Sequence, residues 1–314
     1  MPPESSEAFA GHDPETGILS RLRDWTDVAP PLMLGRTLRM AGSPLMMPIV
    51  WAACVFTADG FPRDSSVTVA PWSAAGKFLG FMILWLPLLM IGYRQGALLT
   101  AGREMETPAK VLGRIFRRSP WVLATLVIAP LAVAALALPG WVATWFLSWG
   151  SGVPVVSTLV AVVGGLAMLP AAVLAAGAVI AVPMALSALV NESDPDPLDA
   201  LSRGYEYALR GWLRGIGYWV TAAVFSLAIY PAAWAVSFAI QMIVQTITPE
   251  PIAGDIVAAA FVLPIAAVAW VAIGCTGGVY LLLRRATGGQ EIEDIWTDDR
   301  PETVPLPELK IDRE

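Results

Sequence analysis

The apolar residues of this chain are gathered into long uncharged blocks, and that feature restricts the fold more than any other. Most blocks run for about 20 residues or more, the length that a helix rising about 1.5 Å per residue needs to cross a hydrocarbon core of about 30 Å. Bounded by charges or turn residues, they cover 40–58, 78–100, 121–146, 160–190, 215–247 and 256–283. With 56% hydrophobic residues, 15% charged and a mean hydropathy of +0.62, the composition suits a bilayer rather than water. The short alternating segments of a membrane barrel are missing from the sequence, so helices are expected to satisfy the backbone within lipid. No apolar run lies near residue 10, where a cleavable signal peptide would carry one, and the first span is expected to be retained.

Charge settles the number of passes. The block 153–190 has 38 residues, which make a straight helix of about 57 Å and permit two passes as well as one. Read as one pass, it places 18 of the 20 Lys and Arg residues on the cytoplasmic side and leaves Arg63 and Lys77 outside. Read as two, it leaves ten on each side. Basic residues near span ends collect in the cytoplasm, so the sequence predicts six spans with both termini cytoplasmic, in a bacterial inner membrane. Whether 153–165 is a half-helix or part of a long tilted span stays open, as does oligomeric state. Trp141, Trp145 and Trp149 recur every four residues near the outer end of the third span and fit either an aromatic belt or helix packing.

Three segments share one pattern, a Pro followed after three residues by Leu-x-Arg-x-apolar or aromatic. They are Pro30 to Leu34, Arg36 and Leu38; Pro108 to Leu112, Arg114 and Phe116; and Pro197 to Leu201, Arg203 and Tyr205. Each precedes an outward-going span. In the third copy Asp196 can cap a helix, Pro197 fits its first turn and Asp199 complements the helix dipole. Leu198, Leu201, Tyr205 and Leu209 are expected to form one apolar stripe, with Asp199, Ser202, Arg203, Glu206 and Arg210 facing away, as in a helix lying at the interface. The expected fold is therefore all-α, with six transmembrane helices as three parallel-repeated hairpins, each preceded by a cytoplasmic amphipathic interfacial helix. Residues 1–17 form a polar tail, 18–39 interfacial helices, 40–284 the membrane domain and 285–314 an acidic tail expected to be solvated and mostly unfolded.

Chemistry finds little to work with. The single histidine, His12, lies in the polar N-terminal tail, which removes the essential part of Ser-His-Asp, zinc and rhomboid-like readings. Lys77, Lys110 and Lys310 lie outside the span interiors, and no GxxxxGK[ST] phosphate loop occurs. Cys54 and Cys275 fall in apolar blocks, where cysteine acts as a small hydrophobe. The acids Glu192, Asp194, Asp196 and Asp199 lack EF-hand spacing, and helix capping explains two of them. No metal, cofactor or nucleic-acid partner is expected. Arg94 is the one ionisable residue within a span. It sits about 24 Å along its helix from Phe78, which allows it to anchor at the interface or to serve a buried structural or transport role. Gln241 and Gln245, one turn apart, either line a polar path or bond across helices. Arg36, Lys110, Arg114, Arg117, Arg118 and Arg203 are the candidate contacts to anionic lipid headgroups.

The run from Ala188-Leu-Val-Asn191 through Pro197-Leu-Asp-Ala-Leu-Ser-Arg-Gly-Tyr-Glu-Tyr207, followed by Trp212, resembles a family of uncharacterised polytopic membrane proteins of planctomycete-type bacteria. The exit from the last span, Gly278-Val-Tyr-Leu-Leu-Leu-Arg-Arg285 and then Glu291, Asp294 and Trp296, is similar to that family as well, and so is the stretch from Gly92 to Arg118. Where the family has an acidic, Gly-containing turn this chain has Asn191 to Pro197. More remotely, the units resemble the membrane domain associated with glycerophosphodiester phosphodiesterases, although no phosphodiesterase domain is present. The resemblance implies topology and no activity. The expected function is non-enzymatic, organising membrane lipid or binding other membrane or cytoplasmic proteins; the alternative is a permease, or an accessory subunit of a transporter, for an apolar or amphipathic substrate.

Overall fold

A computed structural model describes residues 29–60, 71–148, 154–193, 196–249 and 252–289, together with 292, 295 and 296. The described residues form a 3-10 segment, Pro30–Gly42, and eight α-helices: α1 Met46–Gly60, α2 Pro71–Thr100, α3 Pro108–Ser148, α4 Pro154–Asn191, α5 Pro197–Arg210, α6 Trp212–Ala228, α7 Tyr230–Ile247 and α8 Ile252–Gly288. Five helical stretches are long and apolar enough to cross a membrane, with α6 and α7 counted as one; there are six if the 3-10 segment and α1 form a single bent span.

The last helix is the centre of the bundle. From Gly274 to Arg284 every residue of α8 is buried, as expected of a helix whose apolar character runs all the way round. The 3-10 segment, α1, α2, α6 and α7 pack directly on it. The contact with α2 is a close backbone crossing. A Cβ added at Gly96 would lie 1.8 Å from the carbonyl oxygen of Gly274, and one at Gly277 would lie 2.0 Å from that of Tyr93. Gly92-x-x-x-Gly96 on α2 and Gly274-x-x-x-Gly278 on α8 are thus two small-residue faces laid against each other, the arrangement that lets helices gain dispersion energy in lipid without a hydrophobic driving force.

The predicted first span, 40–58, is broken. Met40 to Gly42 belong to the 3-10 segment, and α1 leaves it at a bend of 82°. Pro44 supplies the reason, because the residue before a proline is pushed out of helical geometry and Ser43 is extended at φ −71°, ψ 112°. The 3-10 form also has a packing cause. Its three residues per turn stack Leu34, Thr37 and Met40 on one side, and all three are buried in the bundle. At 15 residues α1 is about 22 Å long, shorter than a full crossing.

The ambiguous block is one helix: residues 154–165 continue without interruption into the rest of α4. It pairs along its length with α3, and its second half, from Ala181 to Asn191, enters the core. The outer parts of α3 and α4 keep Leu131, Leu138, Trp141, Leu159, Val163 and Leu166 exposed. Trp145 is exposed beside Trp141, and Trp149 lies outside the described residues.

The three Pro-Leu-Arg segments adopt three conformations. Pro30 opens a 3-10 helix, Pro108 opens a helix continuous with its span, and Pro197 opens the separate helix α5. As predicted, Asp196 caps α5, accepting from the Leu198 amide at 2.9 Å. The stripe predicted for α5 is divided. Pro197, Ala200, Leu201, Gly204 and Tyr207 face the protein, whereas Leu198 and Leu209 are exposed. Gly204 accounts for this, since its lack of a side chain lets α5 lie on α4 where a Cβ would meet the Ala181 carbonyl oxygen at 2.4 Å.

Candidate functional site

The polar groups of the described bundle converge where α2, α4 and α8 end. Gly102, at φ +76°, stops α2: its amide donates to Leu99 and the Arg103 amide to Leu98, closing a Schellman turn. That turn brings Glu106 back over the helix end. Arg94, fully buried, donates to Glu106 through Nη2 at 2.7 Å and Nε at 3.3 Å, to Asn191 Oδ1 at 3.3 Å, and to the carbonyl of Trp296 at 2.8 Å. Arg114, also buried, reaches the second oxygen of Glu106 at 2.8 Å. The Gln95 amide donates to the Glu106 backbone carbonyl.

Arg118 serves the end of α4. Its guanidinium donates to the carbonyls of Leu189, Glu192 and Ser193 at 2.5, 2.7 and 3.1 Å, supplying donors and positive charge where a helix presents unsatisfied carbonyls. Glu192 in turn accepts from Arg203 at 2.9 Å and from the Tyr280 hydroxyl of α8. The device recurs at the ends of α2 and α8. Arg36 donates to the Thr100 carbonyl of α2 at 3.2 Å, and Arg214 to the Ala286 carbonyl of α8 at 3.1 Å. In each case the arginine comes from an earlier segment of the chain and caps the end of a later helix.

The segment after α8 closes over this end. Ile292 and Ile295 are buried, the Trp296 amide donates to the Asn191 carbonyl at 3.0 Å, and the guanidinium carbons of Arg114 and Arg118 lie 4.8 and 4.6 Å from the Trp296 ring centre. The tail expected to be solvated is docked at these positions.

Electrostatically, the cluster holds its carboxylate ionised. Burial acts to raise the pKa of Glu106, but hydrogen bonds from Arg94 and Arg114 and their positive charge prevail and leave it below the ordinary carboxylate value. Glu106 is therefore a hydrogen-bond acceptor at neutral pH and not a proton donor. Among the described residues no three His, Cys, Asp or Glu side chains come together to hold a metal. Of the acids noted after α4, Glu192 and Asp199 pair with Arg203, Asp196 caps α5, and Asp194 lies outside the described residues.

The sequence-derived candidates divide. Arg94, Arg114 and Arg118 come together, but inside the protein, paired with Glu106 and helix-end carbonyls and not directed to solvent. Arg203 joins Glu192 on the neighbouring side. Arg36 is engaged at Thr100, and Lys110 and Arg117 lie on exposed positions of α3. Gln241 is buried and donates to Ser237 at 3.1 Å, whereas Gln245 is exposed. Both lie towards the far end of α7, so they form no common site with Arg94. Sequence reasoning missed Glu106, Asn191, Arg214 and Trp296. Glu106 had a readable signal, as the partner that an arginine inside a span requires; the two small-residue patterns had one too. No family model, curated protein or solved structure matches this chain.

Proposed function

We propose that the chain is a non-enzymatic, multi-pass protein of a bacterial cytoplasmic membrane, with both termini cytoplasmic, that organises lipid or partner proteins at its arginine-rich end. Six spans arranged as three parallel hairpins, of which the third is entered through the separate helix α5, are the preferred architecture. Arg36, Arg118 and Arg214, each reaching the end of a later helix, agree with that repeat, although only Arg36 stands at the arginine of the Pro-Leu-Arg pattern. The family resemblance at 188–207 agrees with the topology and adds no activity.

The observation that carries the lipid reading is the pairing of exposed apolar side chains with exposed cations at this end. On α5 at about 100° per residue, one side faces α4, a second carries Leu198 and Leu209, and a third carries Asp199, Glu206 and Arg210. A helix with protein, apolar and charged sides fits a bilayer surface beside a bundle. Trp212 and Leu213 continue the apolar side onto α6, and Phe116 beside Arg117 repeats the pairing on α3. The cations suited to headgroups are accordingly Arg117, Arg210 and Arg285, because Arg114 and Arg118 are buried. Native mass spectrometry of the chain released from mixed anionic and zwitterionic bilayers tests this. Arg117→Glu with Arg285→Glu should lower retained anionic lipid by about three-fold or more; unchanged retention rejects the reading.

The transport alternative keeps one observation in its favour. A cavity of about 330 Å³ lies in the elbow between the 3-10 segment and α7 and α8, lined by Leu38, Ala41, Met47, Ile229, Ala233, Val236, Leu263 and Ala267. Its lining suits an apolar substrate. Filling it with Ala233→Trp should abolish uptake into proteoliposomes if it is a transport site, and leave anionic lipid retention untouched.

A further inference from the structure

The segment that closes the arginine-rich end is held unlike the rest of the bundle. Gly289, at φ +66°, ends α8, and beyond it the chain returns to insert Ile292, Ile295 and Trp296. The Trp296 ring lies over two guanidinium groups, its amide and carbonyl are taken by Asn191 and Arg94, and the Ile295 carbonyl lies 3.5 Å from Arg103. The contacts to Arg94, Arg114, Arg118 and Asn191 are to groups already held by the bundle itself. Arg94 and Arg114 share Glu106, Arg118 caps α4, and Asn191 bonds to Ser187 at 2.8 Å. The cradle therefore does not need the segment to satisfy its charges.

Charge favours this occupant. Arg94, Arg103, Arg114 and Arg118 face the segment with Glu106 as the carboxylate between them, and the sequence around Trp296 carries Glu291, Glu293, Asp294, Asp298 and Asp299. We infer that the cradle of Arg94, Arg114, Arg118 and Asn191 is a peptide-binding site for an acid-flanked tryptophan segment, occupied reversibly by this chain's own Ile292, Ile295 and Trp296. The mode is recognition by main-chain hydrogen bonds with one aromatic anchor between cations. Because the tail is tethered close by, its effective concentration is high, and a competing segment gains entry only when the tail is weakened or displaced.

The test uses the full-length chain in lipid nanodiscs, native and Trp296→Ala, titrated with a fluorescein-labelled peptide of residues 289–300 or the same peptide with Trp296→Ala. The native peptide should bind the Trp296→Ala chain at least about ten-fold more tightly than the native chain, and the alanine peptide should bind neither. Equal affinity of the native peptide for both chains, or equal binding of the two peptides, overturns the inference. A second arm covers a variant that does not fold: a protease sequence inserted after Gly289 is cut once the full chain has folded. The severed tail should stay with the bundle and leave on addition of excess native peptide. A tail that departs without competitor, or that excess peptide does not displace, overturns the inference as well.

Discussion

Where α2, α4 and α8 finish, arginines are folded into the protein, and glycines hold two helix backbones in contact. Along the outer halves of α3 and α4, by contrast, leucines, valines and tryptophans stand exposed. The two regions teach that polarity does not locate the interior of a membrane protein. Lipid solvates an apolar side chain as well as a neighbouring helix does, so exposed leucine costs nothing there, while a guanidinium must find partners or leave the hydrocarbon. The neighbours Arg117 and Arg118 make the same point on a smaller scale. One is exposed and the other is consumed by three carbonyls.

The largest break in this contrast is expected at the glycine crossing. Gly96→Leu places side-chain atoms inside the Gly274 backbone and should cost more than about 4 kcal/mol, read as loss of a folded species on SDS titration. Gly165→Ala on the outer part of α4, where a Cβ meets open space, should instead stabilise by about 0.5–1 kcal/mol. Similar losses at both sites would dissolve the distinction between the regions.

Next in size is Glu106→Gln, which strips the carboxylate from buried Arg94 and should destabilise by about 3–5 kcal/mol. Its pH dependence sharpens the assignment. The folded pKa of Glu106 lies below the ordinary value of 4.5, so its contribution is present above that value and is lost as pH falls through the lowered one. Thermal melts between pH 7 and pH 3 should show an acid-side loss in the native chain that is smaller in Glu106→Gln; parallel curves would remove Glu106 as its source.

Arg118→Met should cost about 1.5–3 kcal/mol through its lost charged hydrogen bonds, against less than about 0.5 kcal/mol for Arg117→Met, compared by detergent melting temperature. The smallest effect belongs to the exposed outer face, where Val163→Ala should change stability by no more than about 0.5 kcal/mol.

Length and charge along the chain were enough to predict an all-helical molecule with five or six long apolar helices, because a bilayer imposes span length and segregates cations locally. Helix starts at Pro108 and Pro197 and the Asp196 cap were legible for the same reason, being decided within one turn. The destination of each arginine was not. Arg94, Arg114 and Arg118 find Glu106, Asn191 and Trp296 across separations of up to 202 residues, and no local pattern records which distant carboxylate or carbonyl a guanidinium reaches. The break at Ser43 and Pro44 was present in the sequence as a residue before proline, but only the burial of Leu34, Thr37 and Met40 against α8 turned it into a 3-10 segment. What the sequence determined by itself is therefore the solvent and the helices it demands. The tertiary structure decided which cations are exposed and which lock the bundle, because a buried charge is placed by partners remote in the chain.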